Sequence, residues 1–354
     1  MTSSAPRHIF FVHGFDRRGP RHFNLWQKRE ARLYDQRFGQ KIRVGERVGN
    51  SWEIARNQHV TKFTYLDWTS IVQARFGVGV WRVVWDLVSI GLAGARQGFF
   101  GRILYRDWAL GLLLLWGFLP LFTALVALVI LLFFQPIFAL TIPVALCGVI
   151  AFAIRQDGRL GLAYVLHIAW AARRIALRDH ADLERYVIES AEEIDALPEE
   201  AEVLIVGHSI GAALAVRIAA AAERPVSLLT VGSSALLVSA QKDAGDMRQD
   251  IEKAAKNTWI DVSARKDMLG CLALDVTENG GVKCVTVNLK RSFGKKLVKS
   301  LRFDGFGMHF LYFRANLQAS PWDWMDLISG PRPISEVFEG ASRRSGKGER
   351  RFLF

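Results

Sequence analysis

Ser209 occupies the centre of Gly207-His208-Ser209-Ile210-Gly211, with the apolar run 203–206 before it and the alanine-rich run 212–215 after it. A serine hydroxyl becomes a nucleophile when a turn lifts it clear of the backbone and a base is placed to take its proton. The spacing suits the first requirement. In a Gly-x-Ser-x-Gly turn between strand and helix the serine is held in a strained, accessible position, and a side chain at either glycine would collide with the adjoining strand or helix. The helix that follows adds backbone N–H groups and the positive end of its dipole, which suit an oxyanion forming beside the serine. Packing alone would call for neither glycine. The chemistry predicted is attack on an acyl carbon through a covalent acyl-enzyme, which needs no metal or cofactor. The three cysteines, Cys147, Cys271 and Cys284, have neither paired nor metal-ligand spacing, so a reducing environment without a disulfide framework is expected.

Such a turn has to be carried by a sheet. Outside residues 75–178, short β-branched runs alternate with helical stretches, which predicts an α/β fold with a mostly parallel sheet and helices on both faces. Strands are expected at 8–12, 60–66, 202–206, 226–234, 257–264 and 282–289. Helices are expected at 179–197, where Pro198 lies just beyond the end, at 210–223, and across the charged stretch 241–256. The stretch 290–304 fits neither pattern.

With those runs around it, the motif resembles the nucleophile elbow of the α/β-hydrolase superfamily, particularly of its lipase- and esterase-like members. The resemblance covers the discontinuous part of the chain, 1–74 with 179–330, and implies the α/β-hydrolase fold there. It also implies the chain order serine, acid, histidine. Of the eight histidines only His309 follows Ser209, within the glycine-flanked FDGFGMHFLYF; His208 belongs to the elbow itself. The family's acid comes from the loop after the strand in NTWIDVSARKDMLG. Asp267 lies just past the end of that strand and is preferred, whereas Asp261 lies inside it, where capping or pairing is expected; Asp275 and Asp304 are weaker options. By the same resemblance Ser209 attacks, His309 takes and returns its proton, and Asp267 fixes the imidazole tautomer. The oxyanion would be met by the backbone N–H groups of Ile210 and Phe15, the second within FFVHGF, whose His13-Gly14 matches the family's His-Gly pair. Ser233 and Ser234 receive no chemical role.

The insertion is of another kind. From Trp108 to Ile154 there are 47 residues without Asp, Glu, Lys, Arg or His. As one helix at about 1.5 Å per residue they would run more than twice the hydrocarbon thickness of about 30 Å. Gln135-Pro136 offers a break. Two transmembrane helices are therefore expected, 109–132 and 137–154, the second short enough, with Pro143, to leave a re-entrant hairpin open. Arg96, Arg102 and Arg106 precede the hairpin and Arg155, Arg159, Arg173 and Arg174 follow it, which puts both ends and the catalytic part in the cytoplasm. The stretch 76–108, mixing Trp, Phe and Arg, reads either as an amphipathic segment at the headgroup boundary or as an ordinary helix packed on a core. The N-terminus lacks a signal-peptide layout.

The domains expected are thus a discontinuous catalytic part (1–74 and 179–330), a membrane-associated insertion (75–178) and a basic, disordered tail (331–354). Charge is as uneven as hydropathy. Of a formal +12, residues 290–302 carry six bases and no acid, and the tail carries a further +4 between Arg343 and Arg351. Such patches suit anionic lipid headgroups; no nucleic-acid motif accompanies them, and no nucleic-acid partner is expected. The function expected is a membrane-anchored serine hydrolase cleaving a carboxylic ester, with a lipid or acylated small molecule as substrate. An acyltransferase or thioesterase would use the same residues, and a non-catalytic, hydrolase-shaped membrane scaffold is the remaining alternative.

Overall fold

The computed structural model describes residues 6–115 except 107, 109 and 113, and residues 162–337 except 268, 271–281, 303 and 321. Its centre is the strand Arg7–Val12 (β1), whose residues Ile9, Phe10, Phe11 and Val12 are all buried. A strand with two apolar faces belongs inside a parallel sheet covered on both sides. β1 pairs in parallel with His59–Leu66 on one side and Glu202–His208 on the other. Among the described residues the sheet has eight strands: Ile42–Val44 (β2), Ser51–Arg56 (β3), His59–Leu66 (β4), Glu202–His208 (β5), Ser227–Val231 (β6), Thr258–Ser263 (β7) and Val282–Thr286 (β8), with β1 among them, in the order β2-β3-β4-β1-β5-β6-β7-β8. Only β2-β3 and β3-β4 pair antiparallel. This is an α/β protein with a mostly parallel sheet.

Period-two alternation divides the sheet's side chains between two cores. Phe10, Val12, Val203 and Ile205 face one, with the helices Ala181–Asp195, Gly211–Ala221 and Gly245–Ala254. Ile9, Phe11, Leu204 and Val206 face the other, with Pro20–Phe38 and Trp324–Ser329. Arg7 fastens the second layer: its guanidinium donates to the Gly330 carbonyl at 2.8 Å and pairs with Glu202 at 2.7 Å.

Several elements differ in detail from the sequence expectation. Pro20–Phe38 and the antiparallel pair β2-β3 fall in stretches for which no element was expected. The basic stretch resolves into two one-turn helices, Leu289–Phe293 and Lys295–Ser300, that bury Leu289, Phe293 and Val298 and expose their lysines. His309 closes the short helix Gly305–His309 instead of lying in an open loop; Asp304 caps it by accepting from the Gly307 N–H at 2.8 Å.

Both ends of the 75–178 stretch attach to the sheet layers. Leu162–Leu177 contributes Val165, Ile168, Ala171 and Ile175 to the first core. Gln97 donates to Asp243 at 3.1 Å and Arg102 to the Ala240 carbonyl at 3.0 Å, while Arg173 pairs with Asp243 at 2.7 Å. The loop around 240–243 thus holds the descending and returning chain together. The expected hairpin, 109–154, lies almost entirely outside the described residues; among those described, no single helix is long and apolar enough to cross a membrane.

Candidate active site

Parallel sheets place their ligand sites at the carboxyl ends of strands, where neighbouring connections leave in opposite directions. β1 and β5 are such a pair, since β1 has β4 on its outer side and β5 has β6. Gly14-Phe15 follows β1, and Ser209 follows β5.

Ser209 has φ +56°, a left-handed conformation that is costly for a residue with a Cβ. Its surroundings fix that conformation. The Ser209 N–H donates to the Val231 carbonyl at 3.1 Å, and its carbonyl accepts from the N–H groups of Ala212 at 3.1 Å and Ser234 at 3.0 Å. The two flanking glycines permit the close approach this needs. A Cβ on Gly207 would lie 2.6 Å from the Ala212 Cα, and one on Gly211 would lie 2.1 Å from the His13 carbonyl oxygen. Gly14 comes from the other side, where a Cβ would reach within 2.9 Å of the Ser209 Cβ.

His309 and Asp267 meet in the same place. The Nδ1 of His309 lies 2.7 Å from Asp267 Oδ2, and both side chains are buried. The carboxylate also accepts from the Tyr312 hydroxyl at 2.9 Å, on the same oxygen, and from the Leu269 N–H at 3.1 Å on Oδ1. With three donors converging, the carboxylate end is fully committed, and Nδ1 is the proton-bearing nitrogen of His309. Burial, and then the neighbouring Asp267, push the Tyr312 hydroxyl well above its usual range, so it stays a donor. The space for the pair is made by Gly232 and Gly270, where a Cβ would stand 3.0 and 2.7 Å from Asp267 Oδ2. Asp261 is elsewhere: it sits within β7, accepting from Thr230 Oγ1 at 2.6 Å.

The Nε2 of His309 makes no hydrogen bond among the described residues. Ser209, His208 and His309 line one cavity of about 260 Å³ together with Gly14 and Phe15. A base and its nucleophile commonly close to hydrogen-bond distance only when substrate is bound. His208, by contrast, packs its ring against His309 with 4.4 Å between centres, and burial holds it neutral.

The backbone after β1 is fixed from both sides. The Gly14 carbonyl accepts from the Asp16 N–H at 2.7 Å and from His13 Nδ1 at 2.7 Å, while the Phe15 carbonyl accepts from the Tyr164 hydroxyl at 2.7 Å. Burial lowers the His13 pKa to about 4. The ring is therefore neutral, and with Nδ1 donating to a carbonyl its Nε2 is the acceptor that faces the Trp68 N–H at 3.4 Å. Because the N–H of a trans peptide points opposite to its carbonyl, holding Gly14 C=O in this way also sets the direction of the Phe15 N–H. Among the described residues no hydrogen bond engages the N–H of Phe15 or of Ile210.

No protein-family model, curated protein or solved structure matches the chain. What the site can do therefore follows from its own geometry: a serine in a strained turn, a buried imidazole with a free nitrogen, a carboxylate behind it, and two uncommitted amide donors nearby. Sequence reasoning passed over Tyr312 and Tyr164, and weighed Asp304 only as a weaker choice of acid. Tyr312 lies three residues after His309, a spacing that puts two side chains on one face of a helical turn, and Asp304 precedes Gly307 at capping distance; both were legible. Tyr164, far away in sequence, left no local signal.

Proposed function

We propose that the chain is a serine hydrolase of the α/β-hydrolase fold that cleaves a carboxylic ester through an acyl-enzyme on Ser209. The observation that carries this reading is that Ser209, in its left-handed turn, lines one cavity with His309, whose Nδ1 lies 2.7 Å from the buried Asp267 behind it. His309 Nε2 takes the Ser209 proton as the hydroxyl oxygen bonds to the acyl carbon, and the carbonyl oxygen becomes an oxyanion facing the N–H groups of Ile210 and Phe15. Collapse returns that proton to the leaving oxygen, and water repeats the sequence to free the acid. Asp267 holds the imidazole in the productive tautomer. An acyl acceptor other than water would make the same machinery a transferase.

A fluorophosphonate is expected to label the folded protein at Ser209, read by mass spectrometry, and Ser209→Ala is expected to abolish labelling. Absence of labelling in the folded wild type would overturn the reading.

We further propose that the catalytic part works at a membrane surface, facing the cytoplasm, with the 109–154 hairpin as anchor. Supporting this, the segment leading into the hairpin carries exposed aromatic side chains: Trp81 is 80% exposed, Tyr105 73% and Trp108 70%. Isolated apolar residues on a surface are ordinary, but a tryptophan-rich run beside arginines is the composition of the headgroup boundary. The exposed bases of 290–302 would add attraction to anionic headgroups. Replacing the six by glutamine is expected to weaken sedimentation with vesicles containing phosphatidylserine, and unchanged binding would defeat that assignment.

A further inference from the structure

The serine stands between two unlike spaces. On one side is a small apolar slot of about 20 Å³ whose lining includes Leu110, Leu114, Val165, Ile168 and Leu237 with Ser209 itself. On the other is the cavity that contains His309, which shares Gly14, Asp16, Arg18 and Phe310 with a second space of about 380 Å³. These two adjoining spaces are lined by four arginines, Arg17, Arg18, Arg29 and Arg314, against two aspartates, Asp16 and Asp304. Part of the charge of both signs is already engaged, Arg29 lying 3.8 Å from the buried Glu30. Asp16 is gripped by Arg18 at 2.7 Å, and Asp304 caps the helix that carries His309. Arg314, half-buried, forms no ion pair with any described residue, and its Nε is buried without a hydrogen-bond partner. His22, on the same wall, has its pKa lowered by burial and then by Arg18, and Arg18 lies across the Phe310 ring at 5.3 Å.

Which side takes which part of the substrate is decided by the proton. The leaving oxygen receives it from His309, so the leaving group must lie on the side that contains His309; the slot, with room for about one water-sized group, is too small to hold an acyl chain. We infer that the substrate bears an anionic group, a phosphate or carboxylate, on its alcohol portion, held in the larger space by Arg29 and Arg314 with Arg18 beside them. A guanidinium with unused donors beside a cavity is matched by an oxyanion able to accept two parallel hydrogen bonds. The inference rests on the hydrolase reading above and specifies its substrate class.

The test compares, in full-length protein, 1-hexanoylglycerol with 1-hexanoylglycerol 3-phosphate and with the hexanoyl ester of glyceric acid. The same glycerol and glycerol-phosphate pair with oleoyl chains, presented in phosphatidylcholine vesicles, distinguishes a lipid from a soluble source of the anion. The anionic esters are expected to exceed the neutral one in kcat/KM by about 10- to 100-fold at low salt, the range of one or two charge-assisted hydrogen bonds. That ratio is expected to fall toward unity at high salt. It is also expected to fall at least tenfold in Arg29→Gln/Arg314→Gln. Arg29 is 65% exposed but lies 3.8 Å from the buried Glu30 carboxylate, so Arg29→Lys, which keeps the charge there and removes the two-donor fork, is the single variant run beside it. A preference in either presentation supports the inference and identifies the source. Equal rates for neutral and anionic esters in both presentations, in protein that still labels at Ser209, would overturn it and leave the hydrolase reading intact. Failure to label would remove both.

Discussion

Ser209→Ala and His309→Ala are each expected to lower kcat about 10⁶-fold, and combining them is expected to cost little more, because the two groups act on one proton. Asp267→Asn is expected to cost about 10⁴- to 10⁵-fold. The asparagine argument is specific to this site. Oδ2 of Asp267 accepts from both His309 and Tyr312, and Oδ1 accepts from the Leu269 N–H. An amide can present only one oxygen, so its NH₂ would face either the Leu269 N–H or the His309–Tyr312 pair of donors. In the second arrangement the imidazole relieves the clash by moving its proton to Nε2, the nitrogen that must stay free to take the serine proton. Tyr312→Phe keeps the carboxylate and is expected to cost far less, on the order of tenfold, as a single hydrogen bond of about 1.5 kcal/mol is lost. Steady-state turnover of a short-chain ester, with fluorophosphonate labelling rates alongside, measures all four. Equal losses for Asp267→Asn and Asp261→Asn would show that the acid has been misassigned.

How much of this was legible before the structure depended on where polar groups sit. β1 and β5 carry continuous apolar runs, Ile9–Val12 and Val203–Val206, because both of their faces are covered, and such runs stand out from any composition. Ser209 was legible for a related reason: two glycines around a serine have no packing purpose, and the structure supplies the contacts that exclude a Cβ at each. Pro20–Phe38 was hidden because its inward face is mixed, with polar residues set among Phe23, Ala31 and Tyr34. Asn24, Gln27 and Glu30 are buried there, Gln27 accepting from the Trp52 indole at 2.7 Å and Glu30 from the Ala315 N–H at 2.9 Å. Polar residues with partners so distant in sequence break the helical periodicity that a reader relies on. β2, at three residues, is too short for alternation to register. The choice of Asp267 over Asp261 came from the resemblance, which puts the acid in the loop after this strand; in the structure Asp261, inside β7, accepts from its neighbour Thr230 on β6, whereas Asp267, beyond the strand's end, meets His309.

Among the described glycines, Gly211→Ala is expected to be the most damaging replacement by alanine. The new Cβ would stand 2.1 Å from the His13 carbonyl oxygen and 2.8 Å from that of Val12, both backbone atoms at the end of β1. No rotamer can relieve a collision between a Cβ and a main chain, so either the helix Gly211–Ala221 or the end of β1 has to move. Overpacking of this kind costs about 1–3 kcal/mol and more where the backbone resists. Both candidates for movement carry a proposed oxyanion donor, Ile210 on one side and Phe15 on the other. A shift of about 1 Å between them is expected to lower kcat on the order of 10²- to 10³-fold in whatever fraction folds, the range associated with the loss of one oxyanion donor. Gly245→Ala is the control: nothing lies within 4 Å of its Cβ direction, and it begins a helix, so stability is expected to be unchanged or slightly raised. Urea midpoints and turnover measured together separate the two effects. If Gly211→Ala retained both wild-type stability and wild-type kcat, the close approach of the elbow to the loop after β1, on which the assignment of Phe15 as second donor depends, would be ruled out.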